Sequence, residues 1–237
     1  MFAIPTTIRM RVALADIEPP IWRRLLVPRA FTLGEVHQVI QAAFGWWDEH
    51  LHAFHIGGLM YGDLEQIGTP EFEGERRGFD EQAVTLADFD HTRPIAFVYE
   101  YDFGDGWDHL VEFEDQLVDT PAPRVARCVD GARARPSEDV GGASGYERLL
   151  EILADPRHPE HRETRRWAGG HFDPEWLDLE LCDRDVRRAL TGKRPIRMRQ
   201  PRPRRRVLSP WYDLDDAAAP PATQPEPEEV SERNDRR

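Results

Sequence analysis

Cysteine is scarce in this chain: Cys128 and Cys182 are the only two among 237 residues. They could pair, but two cysteines make no disulfide framework. A long apolar run is also missing, since nothing approaches the roughly 18 apolar residues of a membrane-crossing helix. The opening Met1-Phe2-Ala3-Ile4-Pro5 has neither the charged n-region nor the apolar h-region of a secretory signal. A cytoplasmic protein without membrane contact is therefore expected. Excess positive charge is absent as well: 31 Lys and Arg face 44 Asp and Glu, a net of −13. That excludes a generally DNA-coating surface, which needs clustered cations to neutralise phosphates. No loop has P-loop spacing and no Gly-x-Ser-x-Gly elbow occurs. Gly141-Gly142-Ala143-Ser144-Gly145 is glycine-rich but lacks the following lysine. Cys128 has no adjacent base in sequence, so a thiol nucleophile has no support.

What is present is enough apolar content, 40%, for a real core. The length fits one large domain or two small ones. From Ser209 onward, prolines at 220, 221, 225 and 227 stand among Ala, Glu and Asp, and few large apolar residues follow Leu214. Ordering such a segment is not repaid by burial, so 209–237 reads as a disordered acidic tail. Before it, Arg194, Arg197, Arg199, Arg202, Arg204, Arg205 and Arg206 crowd a stretch punctuated by Pro195, Pro201 and Pro203. This basic arm over 193–208 could contact nucleic acid, or it could be an extended linker balanced by the tail. One domain over 1–192 is the expectation for the rest.

Ile8, Met10, Val12 and Leu14 alternate with Arg9, Arg11 and Ala13, the period-two pattern of a half-buried strand. Pro19-Pro20 breaks it, and Ile21 to Val27 gives a second strand. Thr32-Leu33-Gly34-Glu35 is a capping-box pattern, with the hydroxyl accepting from the third helical amide while the Glu reaches back. Leu33, Val36, Val39, Ile40, Ala43 and Phe44 then predict a helix over 33–44. His37 within it is given no role. A strand is expected up to Gly57-Gly58, a loop over 65–82 and a short element over 84–89. Further strands are expected at Ile95–Tyr101, Leu110–Phe113 and near Val125–Cys128. Helices are expected around Tyr146–Leu153, over 159–167, from Phe172-Asp173-Pro174-Glu175 onward, and over 183–190. Strands fill the first half and helices the second, which predicts an α+β fold with a curved, mostly antiparallel sheet.

The densest stretch is Tyr99-Glu100-Tyr101-Asp102-Phe103-Gly104-Asp105-Gly106-Trp107-Asp108-His109. Asp105-Gly106 predicts a tight two-residue hairpin turn, because primed turns need positive φ. Its tip carries carboxylates and His109. On a strand, His50 and His52 project to one face. Two or three imidazoles with Glu138, Asp139 or Asp105 would suit zinc, iron or manganese, and an open position would permit hydrolysis. The structural alternative is equally concrete. The histidines could be core groups with satisfied nitrogens, and the aspartates could cap turns. A third reading uses the aromatics. Trp22 and Trp107, with Arg23, Arg24 and Asp105, could form an interaction surface for a protein or a single strand of nucleic acid.

Several landmarks recur in a known order. They are Pro19-Pro20-Ile21-Trp22-Arg23-Arg24, His50-Leu51-His52-x-Phe54, Tyr101-Asp102-Phe103-Gly104-Asp105-x-Trp107-x-His109, Cys128-x-x-Gly131-Ala132-Arg133, Pro136-x-Glu138-Asp139-x-Gly141-Gly142, Gly145-Tyr146 and Phe172-Asp173-Pro174. Their order and spacing over about 5–192 resemble the family named for the third open reading frame of an agrobacterial root-inducing plasmid. Its members are often labelled TnpR-like passenger proteins of insertion elements. The resemblance implies a compact α+β domain built around a curved sheet. The resolvase label fails on residues: the serines are at 137, 144, 209 and 231, so none is near the N-terminus. Tyr212, the only late tyrosine, borders the acidic tail, so neither a serine nor a tyrosine recombinase is expected. Relatives commonly carry cysteines flanking the Pro-x-Glu-Asp segment. Here Arg135 and Val140 stand there, so any zinc site built on those cysteines is unavailable to this chain.

The expectation is a non-catalytic interaction or accessory protein with an unknown protein partner, tied to mobile elements by resemblance. The alternative is a metal-dependent hydrolase using His50, His52 and His109 with Glu138 or Asp139.

Overall fold

The alternating Ile8, Met10 and Val12 bury fully while Arg9 and Arg11 stay half-exposed, and strand β1 runs Thr7–Leu14. The computed structural model describes residues 4–67, 78–89, 91–192 and 200. Strand β2 (Trp22–Pro28) returns antiparallel to β1. Helix α1 (Leu33–Phe44) begins at the Thr32 capping box and ends at Gly45, whose φ of 77° is the left-handed cap conformation. The remaining elements in chain order are β3 (His52–Ile56), β4 (Leu59–Gly62), α2 (Leu64–Ile67) and β5 (Gly78–Asp80). Then come β6 (Ala96–Tyr101), β7 (Trp107–Leu117), β8 (Arg127–Ala132), α3 (Gly142–Ala154), α4 (His161–Trp167) and α5 (Leu179–Val186).

The eight strands form one open sheet in the order β5-β4-β3-β6-β7-β1-β2-β8. Every pairing is antiparallel except β4 with β5. The protein is a mixed α+β fold, as the distribution of strands and helices predicted. Helix α1 touches β2 and α5, and α5 packs on β8. One buried cluster joins Ile8, Met10 and Val12 of the sheet to Val36, Ile40 and Phe44 of α1 and to Cys182 and Val186 of α5.

The opposite sheet face is wet and charged. Arg9 contacts Asp115 at 2.7 Å, Arg11 contacts Glu112 at 3.3 Å, and Arg24 contacts Glu114 and Asp130 at 2.7 Å each. Arg11 and Arg24 are direct cross-strand neighbours and both lie over the Trp22 ring, at 5.5 and 5.0 Å. Arg23 does not join this face. Period two sends it inward, where it is 1% exposed.

Several expectations need correction. The hairpin turn is five residues long, not two. Tyr101 pairs with Trp107, and Asp102 and Gly106 both hold positive φ, 58° and 66°. Asp102 accepts from the Gly104 amide, so its side chain closes the longer loop. Strand β3 starts only at His52, so His50 precedes the strand and the two do not alternate on one face. The loop expected over 65–82 holds the end of α2, β5 and a 3-10 turn at Glu81–Ala83. Phe172-Asp173-Pro174-Glu175 opens no helix. The chain turns there, and Asp178 caps α5 instead, accepting from the Leu181 amide. The helix expected over 183–190 accordingly starts earlier, at Leu179. The basic arm with Arg202, Arg204, Arg205 and Arg206, and the acidic tail, lie outside the described residues. Among the described residues no helix is long and apolar enough to cross a membrane.

Candidate functional site

His109 sits on β7 between Trp107 and Val111, and all three face inward. It is 0% exposed. Its Nε2 accepts from the Trp46 indole N–H at 3.1 Å, and its Nδ1 donates to the Trp107 carbonyl at 2.9 Å. That pattern fixes a neutral tautomer with both nitrogens engaged. Burial pushes its pKa down to about 4. Phe44, Tyr99 and Trp46 close around it, with ring centroids 5.0, 5.2 and 6.1 Å from its own. The structure therefore makes His109 and Trp107 core groups rather than site residues.

His52 is also placed apart. Its Nε2 bonds Glu81 at 2.8 Å, and its ring stacks on His37 at 3.5 Å. His37, given no role from the sequence, is 3% exposed and bonds the Tyr99 hydroxyl and Asp48. Burial lowers its pKa. Positions 33, 37, 40 and 44 share one helical stripe, which was the available signal.

His50 is where carboxylates converge. Its Nδ1 is 3.6 Å from Asp102 Oδ2, and its Nε2 is 3.5 Å from Asp139 Oδ1 and 3.8 Å from Glu138 Oε2. His50, Asp102 and Asp139 each offer one donor atom within 4.8 Å of the others. Three of the expected residues, His50, Glu138 and Asp139, thus meet, and the hairpin loop adds Asp102.

Local backbone chemistry makes this convergence possible. Asp102 and Asp139 both adopt left-handed φ, 58° and 57°, which Asp tolerates better than most residues. Asp105 accepts from the Gly141 amide at 3.1 Å, so the expected ligand is used as a clasp between hairpin loop and α3. At Gly142 an added Cβ would lie 2.3 Å from the Asp105 carbonyl oxygen, so only glycine allows that approach.

Glu138 is the least satisfied member. Its side chain is 2% exposed, Oε1 accepts from the Trp47 amide at 2.8 Å, and Oε2 is buried with no hydrogen-bond partner. Burial raises its pKa. None of the contacts to His50 is a hydrogen bond of ordinary length. Two donors that share one ion about 2.1 Å away stand roughly 3.4 Å apart in a tetrahedral site, and contacts of this kind match that spacing.

Two cavities flank the cluster. One of about 440 Å³ is lined by His37, Asp48, His50, His52 and Glu81. The other, about 590 Å³, is lined by Glu138 and Asp139 together with Arg23, Arg135, Trp167 and Trp176. The sequence marked Arg135 only as standing where relatives carry a cysteine, and no signal pointed to Glu81.

The description of the plasmid pRiA4b ORF-3-like protein family matches residues 6–181. The chain is 36% identical over 169 residues to "Uncharacterized protein y4hQ" of Sinorhizobium fredii, covering 70% of this chain and 82% of the relative. It also resembles the crystal structure of a protein of unknown function, MM3350, from Methanosarcina mazei Go1. That likeness has a TM-score of 0.64 and 34% identity, covering 73% of this chain and 96% of the other. The chain belongs to the plasmid pRiA4b ORF-3-like family.

Proposed function

We propose that this member of the plasmid pRiA4b ORF-3-like family binds one divalent transition-metal ion (zinc, iron or manganese) at His50, Asp102, Asp139 and Glu138. Hydrolysis is the reaction class that such a site would serve. The observation that carries the reading is Glu138 Oε2: a buried carboxylate oxygen with no partner, 3.8 Å from a histidine nitrogen. A buried carboxylate oxygen without a hydrogen bond is costly even with Arg135 acting on the group from a distance, and a cation at its side reduces the cost. A metal held by one imidazole and three carboxylates would fill a tetrahedral shell, so a water would enter only by displacing a ligand or in a five- or six-coordinate shell, and the metal would lower the pKa of that water. Asp139, with a side chain 74% exposed, lies on the solvent side where ligand exchange would occur.

The accessory-protein reading has less support in the geometry. Its docking face needed uncompensated arginines, and Arg9, Arg11 and Arg24 are each paired with a carboxylate. An association with mobile elements rests on the family resemblance alone.

Elemental mass spectrometry on protein purified without chelator, with zinc and manganese titrations, tests the metal. About one ion per chain, lost in His50→Ala and Glu138→Gln but kept in His52→Ala, is the expected result. Equal metal content in wild type and His50→Ala, or none in either after titration, overturns it.

A further inference from the structure

A guanidinium cannot shed its charge at ordinary pH, so a buried one needs an anion or a set of oriented dipoles. Arg23 and Arg135 both line the larger cavity. Among the described residues no carboxylate oxygen lies within 4.0 Å of either, although the wet sheet face pairs its arginines with several carboxylates. Arg23 gives its N–H groups to the carbonyls of Trp22, Ala43, Ala132 and Arg133. Those four carbonyl dipoles satisfy its donors and solvate its charge, which remains positive. Arg135 donates to the Pro136 carbonyl at 2.5 Å and the Gly45 carbonyl at 2.9 Å, and lies 4.8 Å over the Trp46 ring. Burial pushes its pKa down to about 10. A guanidinium offers five N–H donors, more than those two carbonyls take.

The rest of the wall is aromatic. Trp167, about half-exposed, stands at the rim, and Trp176 and Phe172 continue the lining. Glu138 in the same wall offsets the Arg135 charge in part but takes none of its N–H groups. Flat apolar surface beside a guanidinium with unused donors is complementary to a flat ligand with a negative end.

We propose that the cavity of about 590 Å³ binds an organic anion that carries a planar ring, its carboxylate or phosphate set against Arg135 and its ring against Trp167 and Trp176. Arg135 is the specificity residue, and Arg23 supplies background positive charge from beneath. The anion is held without the metal. Glu138 and Asp139 line the same cavity, so a cation neutralising them tightens the anion, and by reciprocity the anion tightens the cation.

The test uses the full chain treated with chelator, with phenyl phosphate, benzoate and uncharged benzyl alcohol as probes, followed by tryptophan fluorescence and calorimetry. At least one anion binds saturably, and benzyl alcohol binds roughly tenfold more weakly or not at all. The tighter anion identifies the headgroup. Arg135→Gln weakens anion binding roughly tenfold, and rim variant Trp167→Ala roughly threefold, each with an unchanged circular dichroism spectrum. If Arg135→Gln does not fold, Trp167→Ala and Arg135→Lys carry the same test, with Lys weakening the anion because it loses the planar fork. Three results overturn the proposal: no saturable binding of either anion, equal binding of benzyl alcohol, or binding unaffected in the folded variants. Anion binding seen only with added manganese and indifferent to Arg135 would also overturn it, while leaving the metal reading standing.

Discussion

His109 and His50 lie within one short distance of the same hairpin, yet the fold uses them in opposite ways. His109 is fully enclosed, with an indole donor on one nitrogen and a carbonyl acceptor on the other. His50 has a side chain 27% exposed and faces three carboxylates at 3.5 to 3.8 Å, too far for ordinary hydrogen bonds. The first has no lone pair to offer an ion and the second has two unclaimed nitrogens. Proximity of histidines to carboxylates in sequence therefore says little about metal binding. What counts is which nitrogens the local packing leaves unengaged.

The comparison breaks most directly at His109. His109→Ala removes a buried ring and strands the Trp46 indole N–H. A loss of about 3 kcal/mol is expected by denaturant unfolding, with metal stoichiometry intact in the folded fraction. His50→Ala should do the reverse. Its folding free energy should stay within about 1 kcal/mol of wild type, while metal affinity falls roughly 100-fold or more by calorimetry. Equal effects of the two substitutions on metal would erase the distinction drawn here.

Acid sharpens it further. The folded-state pKa of His109 lies near 4 against 6.5 for the free group. The unfolded chain takes up this proton first, so the contribution is complete above about pH 6.5 and is lost as pH falls toward 4. That interval is worth on the order of 3 kcal/mol. A pH series of unfolding curves should show this slope in wild type and lack its share in His109→Ala.

Glu138 carries the opposite sign. Burial holds its folded-state pKa above 4.5, so ionising it opposes folding as pH rises through that folded value. Metal-free Glu138→Gln should therefore be more stable than wild type at neutral pH, by about 1 kcal/mol, while binding metal less well. The smallest effect belongs to the charged face: Arg24→Ala should change stability by less than about 1 kcal/mol, because its partners are exposed and screened.

Much of the fold was legible because its signals are local. The capping box at Thr32 and Glu35 and the left-handed Gly45 bound α1 at Leu33–Phe44, where the spacing predicted it. Alternation located β1, since Ile8, Met10 and Val12 need only a period of two. Reading the same alternation through Trp107, His109 and Val111 would have placed His109 inside. The five-residue hairpin loop was not legible, because it opens on Asp102 in a left-handed conformation, where no glycine marks the start, while Gly106 closes it. The helix end near Asp178 was missed because Pro174 also satisfies a first-turn rule.

The sequence by itself determined the α+β composition, the family, and the supply of His50, Glu138 and Asp139 as chemistry-bearing groups. It could do so because strand alternation, helix caps and motif spacing act over a few residues. Tertiary structure alone decided the rest. It drew Asp102 and Asp139 to His50, gave His52 to Glu81 and His109 to Trp46, and turned Arg23 and Arg135 toward one cavity with Glu138 and Asp139. Those outcomes depend on which nitrogens and guanidinium hydrogens find partners from distant segments, and partners as much as 110 residues apart leave no periodic trace.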